Sequence, residues 1–294
     1  MTIQGTKRIL LAGTAGPLGG TVAPNLLALD HSVRVVTDNP DKVKRKKGSN
    51  VEVLQGDLRK RDSLLKSLDG VDGVFIAGAR HEDGPDAELA QGKAIIDACA
   101  EKNIGHVVYS SVCCANKRTR VPHFEAKHEV EEYLKGCGLP YTILRPVWFM
   151  ENFISSRYRP SVEKGVLCTP LRPDRVLQMV SADDVGRIVA EMFTKPGKFG
   201  EREIDVAGDQ LTMAGIAEEI SRVAPNPVRY EQLSDSDAGN TLSKDMLLMF
   251  QWLDTHGYDV DLWMAKNQFR RFEIPLTSFR ECIDKYRPEF RQAA

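Results

Sequence analysis

The residues best suited to chemistry come early in the chain. Gly13-Thr14-Ala15-Gly16-Pro17-Leu18-Gly19 has GxxGxxG spacing and directly follows the apolar run RILLA at 8–12. A glycine loop between a strand and a helix suits a dinucleotide pyrophosphate. Gly13 permits the tight turn, Gly16 a close backbone approach, and Gly19 close packing of helix on sheet. Pro17 presets the first helical turn, where free N–H groups favour a diphosphate. The plainer alternative is a strand–helix turn that holds no ligand. Asp38 stands 19 residues beyond Gly19. That is near the offset of about 20 at which a carboxylate takes the ribose hydroxyls. Such a carboxylate repels a 2′-phosphate and favours NAD. The run Lys42, Lys44, Arg45, Lys46 and Lys47 pulls the other way. Lys42 is the one placed to reach a 2′-phosphate, and the rest read as a solvated helix face. In Gly56-Asp57-Leu58, Asp57 is placed either beside the adenine amino group or as a helix N-cap.

The elements that must position these residues alternate along the chain. Strand-like runs at 8–12, 33–37, 51–55, 74–77, 106–111 and 141–144 are separated by helical periodicity at 17–29, 40–47, 62–68, 87–101 and 123–135. That order predicts an α/β fold, a doubly wound parallel sheet of Rossmann type. After Arg145-Pro146 the pattern loosens into a loop containing Pro160, Gly165, Pro170 and Pro173. Helices then follow near 183–193, 212–223, 244–256 and 276–286, with a strand at 203–206. The chain therefore divides into an NAD(P)-binding domain at 1–152 and a smaller C-terminal α+β substrate-binding region at 153–294, some of whose elements return to the sheet.

Composition narrows the function classes. Of 294 residues 42% are hydrophobic, enough for a packed core, and 40 Lys+Arg against 41 Asp+Glu leave a net charge of −1. Binding a phosphate backbone needs a surplus of cations, so no direct nucleic-acid partner is expected. No stretch approaches the roughly 20 apolar residues of a membrane span. The six cysteines show no CxxC pair and no metal spacing. No metal is expected, and the thiols, Cys113 and Cys114 included, read as free and intracellular. The first residues run straight into a strand and a glycine loop rather than a signal peptide, which predicts a cytoplasmic protein.

Several segments taken together carry a family resemblance. They are the 13–19 loop, Gln55-Gly56-Asp57-Leu58, His123-Phe124-Glu125-Ala126-Lys127, the run Leu144-Arg145-Pro146-Val147-Trp148-Phe149-Met150-Glu151-Asn152, Ser181-Ala182-Asp183-Asp184-Val185-Gly186 and His256-Gly257-Tyr258-Asp259-Val260. The chain resembles, over nearly its whole length, the NmrA-like branch of the atypical short-chain dehydrogenases/reductases. The resemblance implies a Rossmann domain with a small C-terminal substrate domain. It also implies one of two activities: reduction of quinones, enones, dyes or benzylic ethers, or redox sensing by a regulator that binds NAD(P) and a protein partner. Many relatives carry Arg after the Thr that ends the second strand, where it grips the 2′-phosphate of NADP. Asp38 stands there in this chain, while Thr37 and Lys42 match the 2′-phosphate contacts of the sensor-type relatives. The expected cofactor is NAD or NADP, leaning to NAD.

The same resemblance points to the reacting groups. Ordinary short-chain dehydrogenases use Tyr-x-x-x-Lys, and this chain has His123-x-x-x-Lys127 at that place. Residues i and i+4 share a helix face. Val130 and Leu134 continue that face, so Lys127 is expected to point inward, either holding the nicotinamide ribose or acting as an acid. His123, an imidazole, suits a general acid or a carbonyl partner. The alternative is a surface Lys127–Glu131 pair. Ser110 and Ser111 end the fifth strand, and Ser111 either orients a substrate carbonyl or caps the strand. Tyr109 alternates to the other face and sits too early to replace the missing Tyr. Gly78, Ala79 and Arg80 should pass the pyrophosphate and ribose. Pro146, Val147 and Phe149 are expected to flank the nicotinamide, and Trp148, Asn152 and Phe153 to contact substrate.

The function expected is hydride transfer between NAD(P) and an apolar aromatic or conjugated small molecule, such as a ketone, quinone, enone or benzylic carbon. Lys127 and His123 would assist proton transfer. The alternatives are an NAD(P)-sensing regulator acting through a protein partner, and a non-redox cyclase or dehydratase on the same fold. The protein partner is left open between a homodimer and a regulatory protein.

Overall fold

The computed structural model describes residues 5–13, 17–41, 51–79 and 83–288. In chain order its strands are β1 Arg8–Ala12, β2 Ser32–Thr37, β3 Val51–Gln55, β4 Gly73–Ile76, β5 His106–Ser110, β6 Tyr141–Pro146, β7 Trp148–Phe149, β8 Val166–Thr169, β9 Val176–Val180, β10 Arg202–Val206, β11 Asp209–Thr212 and β12 Arg229–Gln232. The chain forms two compact units. One comprises Met1–Arg118, Pro122–Arg145 and Val185–Ile204; the other comprises Thr119–Val121, Pro146–Asp184 and Asp205–Ala294.

The first unit is built on a seven-stranded sheet in the order β10-β6-β5-β4-β1-β2-β3. β1 runs parallel to β2 and β4, β2 to β3, β4 to β5, and β5 to β6. All of β4 and β5, and all but the first residue of β1, are buried. That is why these strands read as mostly apolar runs: a parallel sheet carries helices on both faces. Helices Pro85–Glu101 and Pro122–Gly136 bring Ile95, Ile96, Cys99, Val130 and Leu134 against Leu10, Val74, Ile76, Val107 and Tyr109. Phe193, from helix Ala182–Thr194, packs with Ile9 against Gly73. The strand order reverses direction between β1 and β4. In open parallel sheets, ligands bind at such a switch point, beyond the carboxyl ends of the strands.

The second unit holds a three-stranded sheet, β11-β9-β7, and the two-stranded parallel pair β12-β8. Its core is aromatic: Phe153 lies 5.8 Å from the rings of both Tyr158 and Phe279, and Trp148 lies 5.7 Å from Phe250. Two features depart from the sequence reading. The expected proline-rich loop contains β8 and β9, short strands whose Pro and Gly neighbours hide them. Helices Asp235–Thr241 and Leu262–Arg270 also form where none was expected. The expected basic helix at 40–47 lies, from residue 42 onward, outside the described residues. No helix among the described residues is long and apolar enough to cross a membrane.

Candidate active site

Register brings two glycine turns together at the switch point. Ala12 pairs with Ile76, and Ala77 N donates to Ala12 O at 2.9 Å. The chain leaves β1 through Gly13 with φ +77° and leaves β4 through Gly78 with φ +84°. A methyl on Gly13 would run into the Gly78 carbonyl; one on Gly78 would lie 2.6 Å from Lys127 Nζ and 2.8 Å from Glu88 Oε2. Only glycine satisfies both the left-handed backbone and this close approach. Thr14, Ala15 and Gly16 lie outside the described residues, as do Lys42 and Arg80. Pro17 opens helix Pro17–Ala28, in which Leu18 and Gly19 are buried.

Lys127 points inward, as its place beside Val130 and Leu134 requires. Its partner is Glu88, with Nζ 3.0 Å from Oε1, and Nζ also reaches the Ser110 carbonyl at 3.3 Å. The alternative partner, Glu131, is taken by Arg145. Glu88 Oε1 accepts the Tyr109 phenol at 2.6 Å, and Oε2 accepts Ala79 N–H at 2.6 Å. Burial pushes the Glu88 carboxyl up. The Lys127 charge and the bonds from Tyr109, Lys127 and Ala79 outweigh burial and hold the carboxyl below its ordinary range. Burial, reinforced by Glu88, pushes the Tyr109 phenol well above its ordinary value. Tyr109 thus donates to a carboxylate and is no proton source near neutral pH.

The sequence reading did not single out Glu88. It sits on helix Pro85–Glu101 in the buried stripe Glu88, Gly92, Ile95, Cys99. An acid on an apolar stripe was the available signal. Ser111, just beyond β5, is 4% exposed, and its Oγ has no hydrogen-bond partner among the described residues. His123 is half-buried and stands edge-on to Phe124 with ring centroids 4.8 Å apart.

The end of β2 presents Thr37 and an exposed Asp38. Thr37 Oγ1 accepts Asn39 N–H at 3.2 Å. Asp57 Oδ1 accepts Arg59 N–H at 3.0 Å, and that bond is the main reason its carboxyl lies below the ordinary range. The bond closes a turn ahead of helix Arg61–Leu64, whose N-cap position is Lys60 with no side-chain cap, so Asp57 shapes the turn and is not the helix N-cap. Leu58 beside it packs partly buried against the core. In the second unit, Val147 N donates to Val206 O at 3.1 Å, and Pro146 and Val147 are buried. Phe149 and Asn152 are half-buried. Trp148 is 8% exposed and Phe153 fully buried, both within the aromatic core.

Sequence comparison then fixes the family, because a model of the NmrA-like family matches residues 5–281. The chain belongs to the NmrA-like family. An NmrA-like family domain-containing oxidoreductase of Aspergillus flavus is 25% identical over 277 residues, covering 85% of this chain and 79% of that protein. Among solved structures, Citrobacter sp. triphenylmethane reductase complexed with NADP(H) superposes with a TM-score of 0.80 at 19% identity, over 95% of this chain and 99% of that one. The negative transcriptional regulator NmrA in complex with NAD gives 0.78 at 20% identity, over 99% and 98%. Both structures share the fold, and they hold different nicotinamide cofactors.

Proposed function

We propose that this chain is an NAD(P)-dependent reductase acting on an apolar aromatic or conjugated small molecule: a ketone, quinone, enone or benzylic carbon. The observation that carries the proposal is the placement of Lys127 Nζ beside the Gly78 turn and the Ser110 carbonyl, at the carboxyl ends of β4 and β5. The residues present suit a dinucleotide. The Gly13 and Gly78 turns approach each other, Lys127 and Glu88 too closely for any Cβ, and beside them Ser111 Oγ is a buried hydroxyl without a partner among the described residues. When bound, the nicotinamide supplies the hydride. Lys127 holds the ribose hydroxyls and, with His123, delivers the proton, while Ser111 orients the substrate oxygen. A cytoplasmic setting accords with this reading.

Asp38 lies exposed at the end of β2 and favours NAD, since its charge opposes a 2′-phosphate. Titration should therefore show tighter binding of NADH than of NADPH. Asp38→Ala is expected to improve NADPH binding by about tenfold through loss of like-charge repulsion. Tighter NADPH binding by the unaltered protein would refute the preference.

Turnover is tested by loss of reduced-nicotinamide absorbance on a panel of quinones, aryl ketones and enones. Lys127→Ala is expected to lose about 100-fold in kcat and His123→Ala about tenfold, in line with loss of a positioned proton donor. Turnover unchanged in both variants would overturn the assignment. A second reading, the cofactor sensor, draws on one observation. The usual Tyr position holds His123, and the Tyr109 phenol is buried and bound to Glu88. Tight cofactor binding with no turnover on the whole panel is its signature.

A further inference from the structure

Glu88 ties three elements together through one carboxylate. It accepts from Tyr109 at the end of β5, from Lys127 on helix Pro122–Gly136, and from the backbone of Ala79 in the turn after β4. With 5% of its surface exposed, it is a costly residue to bury unless its bonding is complete, and these three bonds complete it. None of the three is local: the partners lie 9, 21 and 39 residues away in sequence. Those elements carry the groups that the proposed function assigns to the cofactor.

Lys127 needs such a partner. An ammonium on a four-carbon stem is a mobile point charge with three donors, and its own helix does not fix where it ends. Glu88 takes one donor and the Ser110 carbonyl a second, so among the described residues the third is left for a ligand hydroxyl. The same carboxylate holds the Ala79 amide next to Gly78, where a single added methyl would collide with both Lys127 and Glu88. The ammonium and the turn are thus set by one residue.

We propose that Glu88 is the positioning residue of the cofactor site, holding Lys127 Nζ and the Gly78-Ala79 backbone in the arrangement that receives the nicotinamide ribose. This inference rests on the proposed cofactor reading, and its test separates the two.

NADH and NADPH are titrated by nicotinamide fluorescence into wild type, Glu88→Gln, Lys127→Met and the double variant, with circular dichroism confirming that each is folded. Glu88→Gln and Lys127→Met are each expected to weaken the better-bound nucleotide by about tenfold. The double variant should be no more than about threefold weaker than Lys127→Met alone, because residues acting as one unit are non-additive. Glu88→Asp restores the charge on a stem one methylene shorter and should regain at least about threefold over Glu88→Gln. Affinity within about twofold of wild type in Glu88→Gln, or losses that simply multiply in the double variant, overturns the positioning role while cofactor binding stands. Wild-type protein that binds neither nucleotide overturns the cofactor reading and this inference with it. If Glu88→Gln does not fold, Tyr109→Phe removes one bond to Glu88 and leaves the carboxylate paired. It should weaken binding by about threefold in the wild type and have no effect in Lys127→Met. An equal effect in both backgrounds would overturn the inference.

Discussion

Two buried ion pairs share helix Pro122–Gly136, and they are built differently. Glu131, with no side-chain exposure, receives Arg145 through Nε at 2.8 Å and through Nη2 at 2.5 Å. Arg145 Nη2 also reaches Glu203 at 2.5 Å, and Lys135 Nζ reaches Glu203 at 2.5 Å. Burial pushes the guanidinium down, yet its bonds and attraction to Glu131 and Glu203 raise it above its ordinary value. This is a closed cluster: a planar fork on a carboxylate, with a further acid and base completing it. One turn earlier, Lys127 meets Glu88 as a single ammonium, with the two side chains 16% and 6% exposed. A glycine turn and a strand-end carbonyl border that pair. An ion pair in which a guanidinium fork is held by two acids at once supports architecture. One that leaves a donor over beside a glycine turn, at the ligand end of a parallel sheet, is arranged to bind.

The largest expected effect tests the closed pair. Arg145→Met leaves Glu131 buried without its partner, and such losses cost about 3–5 kcal/mol. Urea unfolding should show that loss. Under conditions where the variant is still folded, its affinity for NADH should match wild type within about twofold, since the two pairs share no hydrogen-bond partner. If Arg145→Met weakened the cofactor as much as Lys127→Met does, the division between an architectural pair and a binding pair would collapse.

The same contrast shows what the sequence can and cannot reveal. The strands of the first unit are legible because a parallel strand covered on both faces must carry a mostly apolar run, as ILLA in β1 and VVY in β5 do. β12, with the sequence RYEQ, is short, polar and largely exposed, so nothing in its composition marks it as a strand. The inward direction of Lys127 follows from local helix geometry, because Val130 and Leu134 share its face. Its partner does not. Glu131 is the neighbour in sequence, but the sheet order places Glu88, 39 residues away, against the ammonium instead. Aromatic residues are ambiguous for a related reason. Phe153 and Trp148 have the composition of a pocket wall, and long-range packing sets them among Phe250, Tyr158 and Phe279.

A smaller effect sharpens the open pair by its dependence on acid. The Glu88 carboxyl lies below its ordinary value in the folded chain, because Lys127, Tyr109 and Ala79 together outweigh its burial. In the unfolded chain it titrates at about pH 4.3. As acid is added, the unfolded chain therefore takes up the proton first. Glu88 contributes stability that is fully present above that value and is lost as pH falls through the depressed folded value. Unfolding free energies of wild type and Glu88→Gln, measured in urea across acid pH, should differ by a constant amount above roughly pH 5 and converge below it. A gap that stays constant into strong acid would mean that the charge of Glu88 contributes nothing to its hold on Lys127. The three bonds would then be those of a neutral packing group, and the distinction between the two pairs would rest on geometry alone.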